Sequence, residues 1–175
     1  SKIVKVLLAG VEAQIIEGAS QATIEVVALT NADAGVTGTS DVFIQADSGA
    51  YAVLENGFDY LVQSMVADVS PVSGRFGTRV TITGERFFAG GTTVVSVHLA
   101  NVEASIISAT QTTVLVSATH SGEQVGDVVI TSNTGAVTIA DQQWTFEKPS
   151  SINSVEPSAG QGGTVVDIGG DGLQG

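Results

Sequence analysis

The sequence predicts an all-β chain built from tandem β-sandwiches. Short segments rich in Val, Ile and Thr alternate with Gly, Asn and Ser-Gly turn signals. No window sustains a helical period of apolar residues. Three separate blocks of sequence recur at nearly one spacing, so one unit is repeated along the chain.

The first block, Val4 to Ile16, recurs as Val95 to Ile107 at an offset of 91. The second, Asp41-Val42-Phe43-Ile44 with Ser48-Gly49-Ala50, recurs as Asp127-Val128-Val129-Ile130 with Thr134-Gly135-Ala136 at an offset of 86. A longer loop around Asn31 to Thr39 accounts for the change of offset. The third block, Val69 to Gly84, recurs as Val155 to Gly170, again at 86. Residues 1–63 therefore match the later strands of a unit, 64–149 a whole unit, and 150–175 the first strands of a further one. Head and tail add up to one more unit, so two arrangements are expected equally: the polypeptide continues on both sides, or 150–175 of one copy complete 1–63 of a neighbour.

Within the whole unit the expected strands are Arg79–Thr83, Val94–Leu99, Ser105–Ile107, Thr113–Ala118, Asp127–Thr131, Ala136–Ala140 and Trp144–Glu147. Seven short strands in under ~100 residues is the pattern of an immunoglobulin-like sandwich. Strict alternation puts Val80, Ile82, Trp144 and Phe146 inward, with Phe58 and Tyr60 as the corresponding aromatic pair of the first unit. Phe43 and Phe87 also take core-like strand positions. Pro71 and Pro157 fix φ where strand pairing stops, and Gly74, Gly77, Gly84, Gly160, Gly163 and Gly170 permit tight or left-handed turns.

The pattern Val-x-Pro-x-x-Gly-x-x-Gly-Thr-x-Val-x-Ile-x-Gly at Val69–Gly84, repeated at Val155–Gly170 with Asp167 between Val166 and Ile168, resembles the opening of an IPT/TIG domain. Leu99-Ala100-x-Val102-x-Ala104, Gly126-Asp127-Val128-Val129-Ile130 and Trp144-x-Phe146 resemble later strands of that family. The resemblance implies tandem Ig-like, E-set-like sandwiches. Receptor members often carry disulfides and this chain has no cysteine, so receptor biology is not implied.

Composition excludes several classes of function. Eighteen acidic against six basic residues give a net charge of −12, which repels phosphate backbones and argues against nucleic-acid binding. No apolar run nears the ~18 residues of a membrane span, so no membrane insertion is expected from this segment. Without cysteine there is no disulfide framework and no thiolate ligand. Ser and Thr together make 35 of 175 residues, which leaves room for O-linked glycan, while all five asparagines (31, 56, 101, 133 and 153) fail the Asn-x-Ser/Thr rule.

His98 and His120 lack the spacing of a metal or nucleophile site, and Ser48-Gly49 and Ser73-Gly74 lack the strand–elbow–helix context of a hydrolase, so they read as turns. Asp33, Asp41, Asp47, Glu123, Asp127 and Asp141 are the candidate calcium ligands, but none sits in an Asp-x-Asp-x-Asp loop. No catalytic residue, cofactor or metal is expected, and the chain reads as a non-enzyme. The leading expectation is an extracellular or cell-surface structural and adhesive repeat protein, an acidic fibre or filament whose partner is itself or neighbouring repeats, head to tail. The short joints Gln63-Ser64 and Lys148-Pro149-Ser150 suit such an array, and Phe76 and Phe88 are its candidate inter-unit contacts. The alternative is a binding module, either a receptor ectodomain or a carbohydrate-associated accessory domain of a larger protein. It predicts an exposed aromatic patch, drawn from Tyr51, Phe76 and Phe88.

Overall fold

A computed structural model describes residues 1–16, 22–29 and 38–173. Residues 31–37 of the long loop, Asp33 among them, lie outside the described residues. The chain divides into two compact units, Ser1–Val62 and Gln63–Gly175, and each is built only of strands and loops among the described residues.

Unit 1 contains β1 (Ile3–Leu8), β2 (Val11–Glu12), β3 (Gln14–Ile15), β4 (Val26–Val27), β5 (Gly38–Ala46) and β6 (Tyr51–Tyr60). Its main sheet has the order β2-β1-β5-β6, and β3 pairs with β4 alone. Val6, Leu8 and Ala13 are buried, with Ile3, Ile15, Val26, Val42, Ile44, Phe58 and Tyr60 packed half-buried against them. Burial pushes the Tyr60 phenol above its ordinary value of 10.0, and its hydroxyl donates to the Leu29 carbonyl at 3.2 Å.

Unit 2 contains β7 (Met65–Ser70), β8 (Ser73–Gly74), β9 (Arg79–Glu85), β10 (Val94–Leu99), β11 (Val102–Glu103), β12 (Ser105–Ala109), β13 (Thr113–Ser117), β14 (Gln124–Ser132), β15 (Val137–Phe146), β16 (Ser151–Glu156) and β17 (Asp167–Asp171). One sheet has the order β11-β10-β14-β15-β8 and the other β12-β13-β9-β7, with β16–β17 as a separate hairpin. Alternating residues of both sheets meet in a single core. Val80, Ile82, Val97, Leu99, Val128, Ile130 and Trp144 are completely buried there, and Phe146 and Phe87 nearly so. Each such side chain contributes about 1.5–3 kcal/mol by burial. The Trp144 and Phe146 rings meet edge to face at 5.6 Å, as Phe58 and Tyr60 do at 5.0 Å in unit 1.

The repeat is visible strand by strand. Leu7 pairs with Phe43 in β1–β5 as His98 pairs with Val129 in β10–β14, and both ladders slip at the same place. Hairpin β16–β17 copies β7–β9: Val155 faces Ile168 as Val69 faces Ile82, and the bulge between Val66 and Asp68 recurs between Ile152 and Ser154. Gly84 and Gly170 occupy this bulge for the same reason. A Cβ there would lie 2.0 Å from the carbonyl oxygen of Met65 or Ser151. Gly77 and Gly163 both have a left-handed backbone, with φ of 85° and 95°. Pro71 and Pro157 both follow cis peptide bonds. Gly74 and Gly160 lie against Thr78 and Thr164.

Ser73-Gly74, read from sequence as a turn, is the two-residue strand β8, paired in parallel with Thr145 and Phe146 of β15. Such a short pairing carries no periodicity for a sequence to reveal.

Candidate functional site

The outer face of unit 1's main sheet gathers the most exposed aromatic surface of that unit. Across three strands Leu7, Phe43 and Val53 stand in one row, and Lys5, Gln45 and Tyr51 in the next. Val42 and Ile44 point into the core, so period-two alternation turns Phe43 outward. This corrects the core position expected for Phe43. In the apolar run Val42-Phe43-Ile44 hydrophobicity alone conceals which residue faces which way.

Phe43 stacks on Tyr51, with ring centroids 5.7 Å apart and 23° between planes. Tyr51 is 71% exposed. Beside the pair lies a shallow groove of about 440 Å³ lined by Leu7, Ala9, Gly10, Ser40, Asp41, Phe43 and Val53. Lys5 and Gln45 border the aromatic pair as hydrogen-bonding side chains. At the same rows unit 2 carries His98, Val129 and Ile139, then Ser96, Thr131 and Val137, so Val129 and Val137 stand where unit 1 has Phe43 and Tyr51.

Asp41 has a structural duty that sequence reasoning missed. Its carboxylate accepts the Asn56 N–H at 3.0 Å, and Asp127 accepts the Gln142 N–H at 2.8 Å. Asn56 and Gln142 both have left-handed backbones, with φ of 51° and 48°. The bulged ladder at these sites leaves an amide without a strand partner, and the aspartate satisfies it. The recurrence of Asp at 41 and 127 was the available signal. Asp47, Glu123 and Asp141 join no cluster: no group of three or more His, Asp or Glu able to hold a metal occurs among the described residues.

A second aromatic feature lies at one end of unit 2. Phe76, 64% exposed, stacks face to face on His120 at 3.9 Å and 6°. Phe88 is half-buried against the unit 2 core. Beside Phe76, Arg75 donates from Nε to the Lys148 carbonyl at 2.9 Å and from Nη1 to the Gly172 carbonyl at 2.9 Å. Its Nη2 pairs with Glu147 at 3.3 Å, and Ser73 donates to the same carboxylate at 2.8 Å. His98 stands on the outer face of β10. No helix among the described residues is long and apolar enough to cross a membrane.

No curated protein matches the chain. Among solved structures, the full extracellular region of plexin A4 superposes with a TM-score of 0.50 at 22% identity, over 87% of this chain and 13% of that one. The γ-CGTase of alkalophilic Bacillus clarkii gives 0.45 at 13% identity, over 63% of this chain and 18% of that one. A surface glycan-binding protein of Prevotella bryantii gives 0.39 at 17% identity, over 79% and 32%. The chain thus spans a minor part of each of these proteins, and at such identities the plexin likeness speaks for the immunoglobulin-like fold alone. The model of the IPT/TIG domain matches residues 64–147, the span over which β7 to β15 close a complete two-sheet core. Residues 64–147 are an IPT/TIG domain.

Proposed function

We propose that the chain is a non-enzymatic binding module of a larger protein of the cell exterior, holding a carbohydrate chain on the outer face of unit 1's sheet. The single observation behind this is the Phe43–Tyr51 stack, a flat aromatic surface exposed where the repeat of the same sheet carries aliphatic side chains. Sugar rings present an apolar face edged by hydroxyls. Aromatic planes take the first, and Lys5, Gln45 and Asp41 are placed to take the second. The groove beside the rings is open, which suits an extended oligosaccharide running across strands.

The test is a glycan array followed by calorimetry on the best binder. Tyr51→Ala is expected to weaken binding at least ~10-fold, the loss of a hot-spot aromatic contact, while Val137→Ala at the equivalent place in unit 2 leaves it unchanged. Binding that survives both Tyr51→Ala and Phe43→Ala sinks this reading.

A second reading, an adhesive or structural array of such units joined head to tail, is favoured by a different observation. Val42, Ile44, Phe58 and Tyr60 of unit 1 are half-buried and Val155, Val166 and Ile168 of hairpin β16–β17 are exposed, where their counterparts in unit 2 are buried.

A further inference from the structure

We infer that the carbohydrate held on unit 1's outer face is acidic: the sugar ring over Tyr51 is a hexuronate whose carboxylate pairs with Lys5, and the adjoining sugar in the groove is neutral. The inference rests on the carbohydrate reading and names the class of sugar for that site.

The repeat singles out one row of the sheet. Lys5, Gln45 and Tyr51 stand side by side across β1, β5 and β6. At the same places in unit 2 stand Ser96, Thr131 and Val137, two hydroxyls and an aliphatic side chain. Unit 1 thus has a cation, an amide and a phenol together in the row that carries half of its aromatic stack. The acidic residues of the face follow a different rule. Glu12 opposite Leu7 recurs as Glu103 opposite His98, and the Asp41 cap recurs as the Asp127 cap. These carboxylates belong to the pattern common to both units, whereas Lys5 occurs only in the unit with the aromatic pair.

Lys5 is placed to receive an anion. It is half-buried, so its methylene stem lies along the sheet and its ammonium stays at the surface. That ammonium makes no ion pair among the described residues, where the two ion pairs belong to Arg75 and Arg86 of unit 2. Neighbouring strands lie about 4.8 Å apart, which sets Tyr51 roughly 10 Å from Lys5 across Gln45. A pyranose lying flat on the Tyr51 ring turns its rim toward those two side chains. A C6 carboxylate projects from that rim, and the Gln45 amide and the Lys5 ammonium offer a donor to each of its oxygens.

The remaining charges decide what lies next to the hexuronate. Beyond this row Lys2 and Asp47, joined by a backbone bond of 2.9 Å, carry one charge of each sign. The Leu7–Phe43–Val53 row has Glu12 opposite Leu7 and Asp41 in its groove, and the two cations of unit 1, Lys2 and Lys5, both lie outside it. A second carboxylate there would face two like charges. The site therefore suits a glycan that alternates acidic with neutral sugars, and disfavours a continuous polyuronate.

The test is calorimetry on the full chain with four oligosaccharides of equal length. They are alternating glucuronate and neutral hexose, the same molecule with its carboxylates reduced to alcohols, oligoglucuronate, and a sulfated neutral oligomer. The first is expected to bind at least ~5-fold more tightly than each of the others, the gain of one charge-assisted hydrogen bond at a partly solvated site. Added salt should narrow that margin over the reduced molecule. Lys5→Gln should erase the margin while leaving the affinity for the reduced molecule unchanged, and Lys5→Arg should restore it. Equal affinity for the first two sugars, or a margin that survives Lys5→Gln, overturns the inference. Tighter binding of oligoglucuronate or of the sulfated oligomer overturns it as well. If Tyr51→Ala still weakens binding of the reduced molecule in any of those cases, the carbohydrate reading stands without its acidic preference. If none of the four binds, both readings fall.

Discussion

Unit 1 and unit 2 draw the same sheet from the same sequence pattern and end with different cores. Val128, Ile130, Trp144 and Phe146 are sealed from solvent, whereas Val42, Ile44, Phe58 and Tyr60 at matching places are half-buried. The difference lies in what covers them. Unit 2 has the hairpin β7–β9 in register with β13, and the described part of unit 1 has only β3–β4 on that side. Unit 1's sheet thus keeps the same strand order while its core stays half-buried. In unit 2 the pair β7–β9 completes that burial.

The sharpest way to break this comparison is to truncate the same residue in both hairpins. Ile82→Ala is expected to cost unit 2 about 2–5 kcal/mol, the range for a large aliphatic deletion in a closed core. Ile168→Ala, at 55% exposure, is expected to stay within about 0.5 kcal/mol. Denaturant melts followed by fluorescence separate the units, because the chain's one tryptophan is in unit 2 and both tyrosines are in unit 1. Equal losses would mean that β16–β17 is already buried in solution.

The bulge caps sharpen the comparison at smaller scale. Asp127→Ala and Asp41→Ala each leave one backbone N–H without its carboxylate and are expected to cost about 1 kcal/mol. The first should appear in the tryptophan signal and the second in near-ultraviolet dichroism of the tyrosines. A cost in only one unit would show that the two caps are not equivalent.

The smallest expected effect is one of pH, confined to unit 1. Burial raises the Tyr60 phenol above 10.0, so the unfolded chain gives up that proton first. The stability linked to Tyr60 is fully present below about pH 10 and is lost as pH rises through the raised value. Unit 2 has Phe146 at this place and should melt unchanged across the same window, and Tyr60→Phe should remove the dependence from unit 1.

Much of the fold was legible because the repeat supplied two readings of each strand. Alternation at Val80 and Ile82, and at Trp144 and Phe146, was unbroken, so one face was assignable from either copy. Strand β7 escaped because Met65-Val66-Ala67-Asp68-Val69-Ser70 mixes apolar and polar residues around a bulge, which breaks the period. Phe43 was misplaced because its apolar neighbours on both sides hide the parity, and the aromatic surface it forms with Tyr51 was therefore only half visible. The Asp41 and Asp127 caps reach residues 15 positions away, beyond any local motif.

The short parallel contact between β8 and β15 has a mechanical consequence. The chain enters the IPT/TIG domain at Met65 and leaves it at Glu147, and β7 and β15 run in the same direction, so these points lie at opposite ends. Tension between them slides β8 along β15 and does not peel it away. It loads together the bonds from the Thr145 N–H to the Val72 carbonyl and from the Glu147 N–H to the Gly74 carbonyl, both 2.9 Å. Ser73 and Arg75 also contact the Glu147 carboxylate beside this pairing. A strained chain of such domains would yield by simultaneous rupture at this patch, a brittle fastening in a molecule otherwise held by packing.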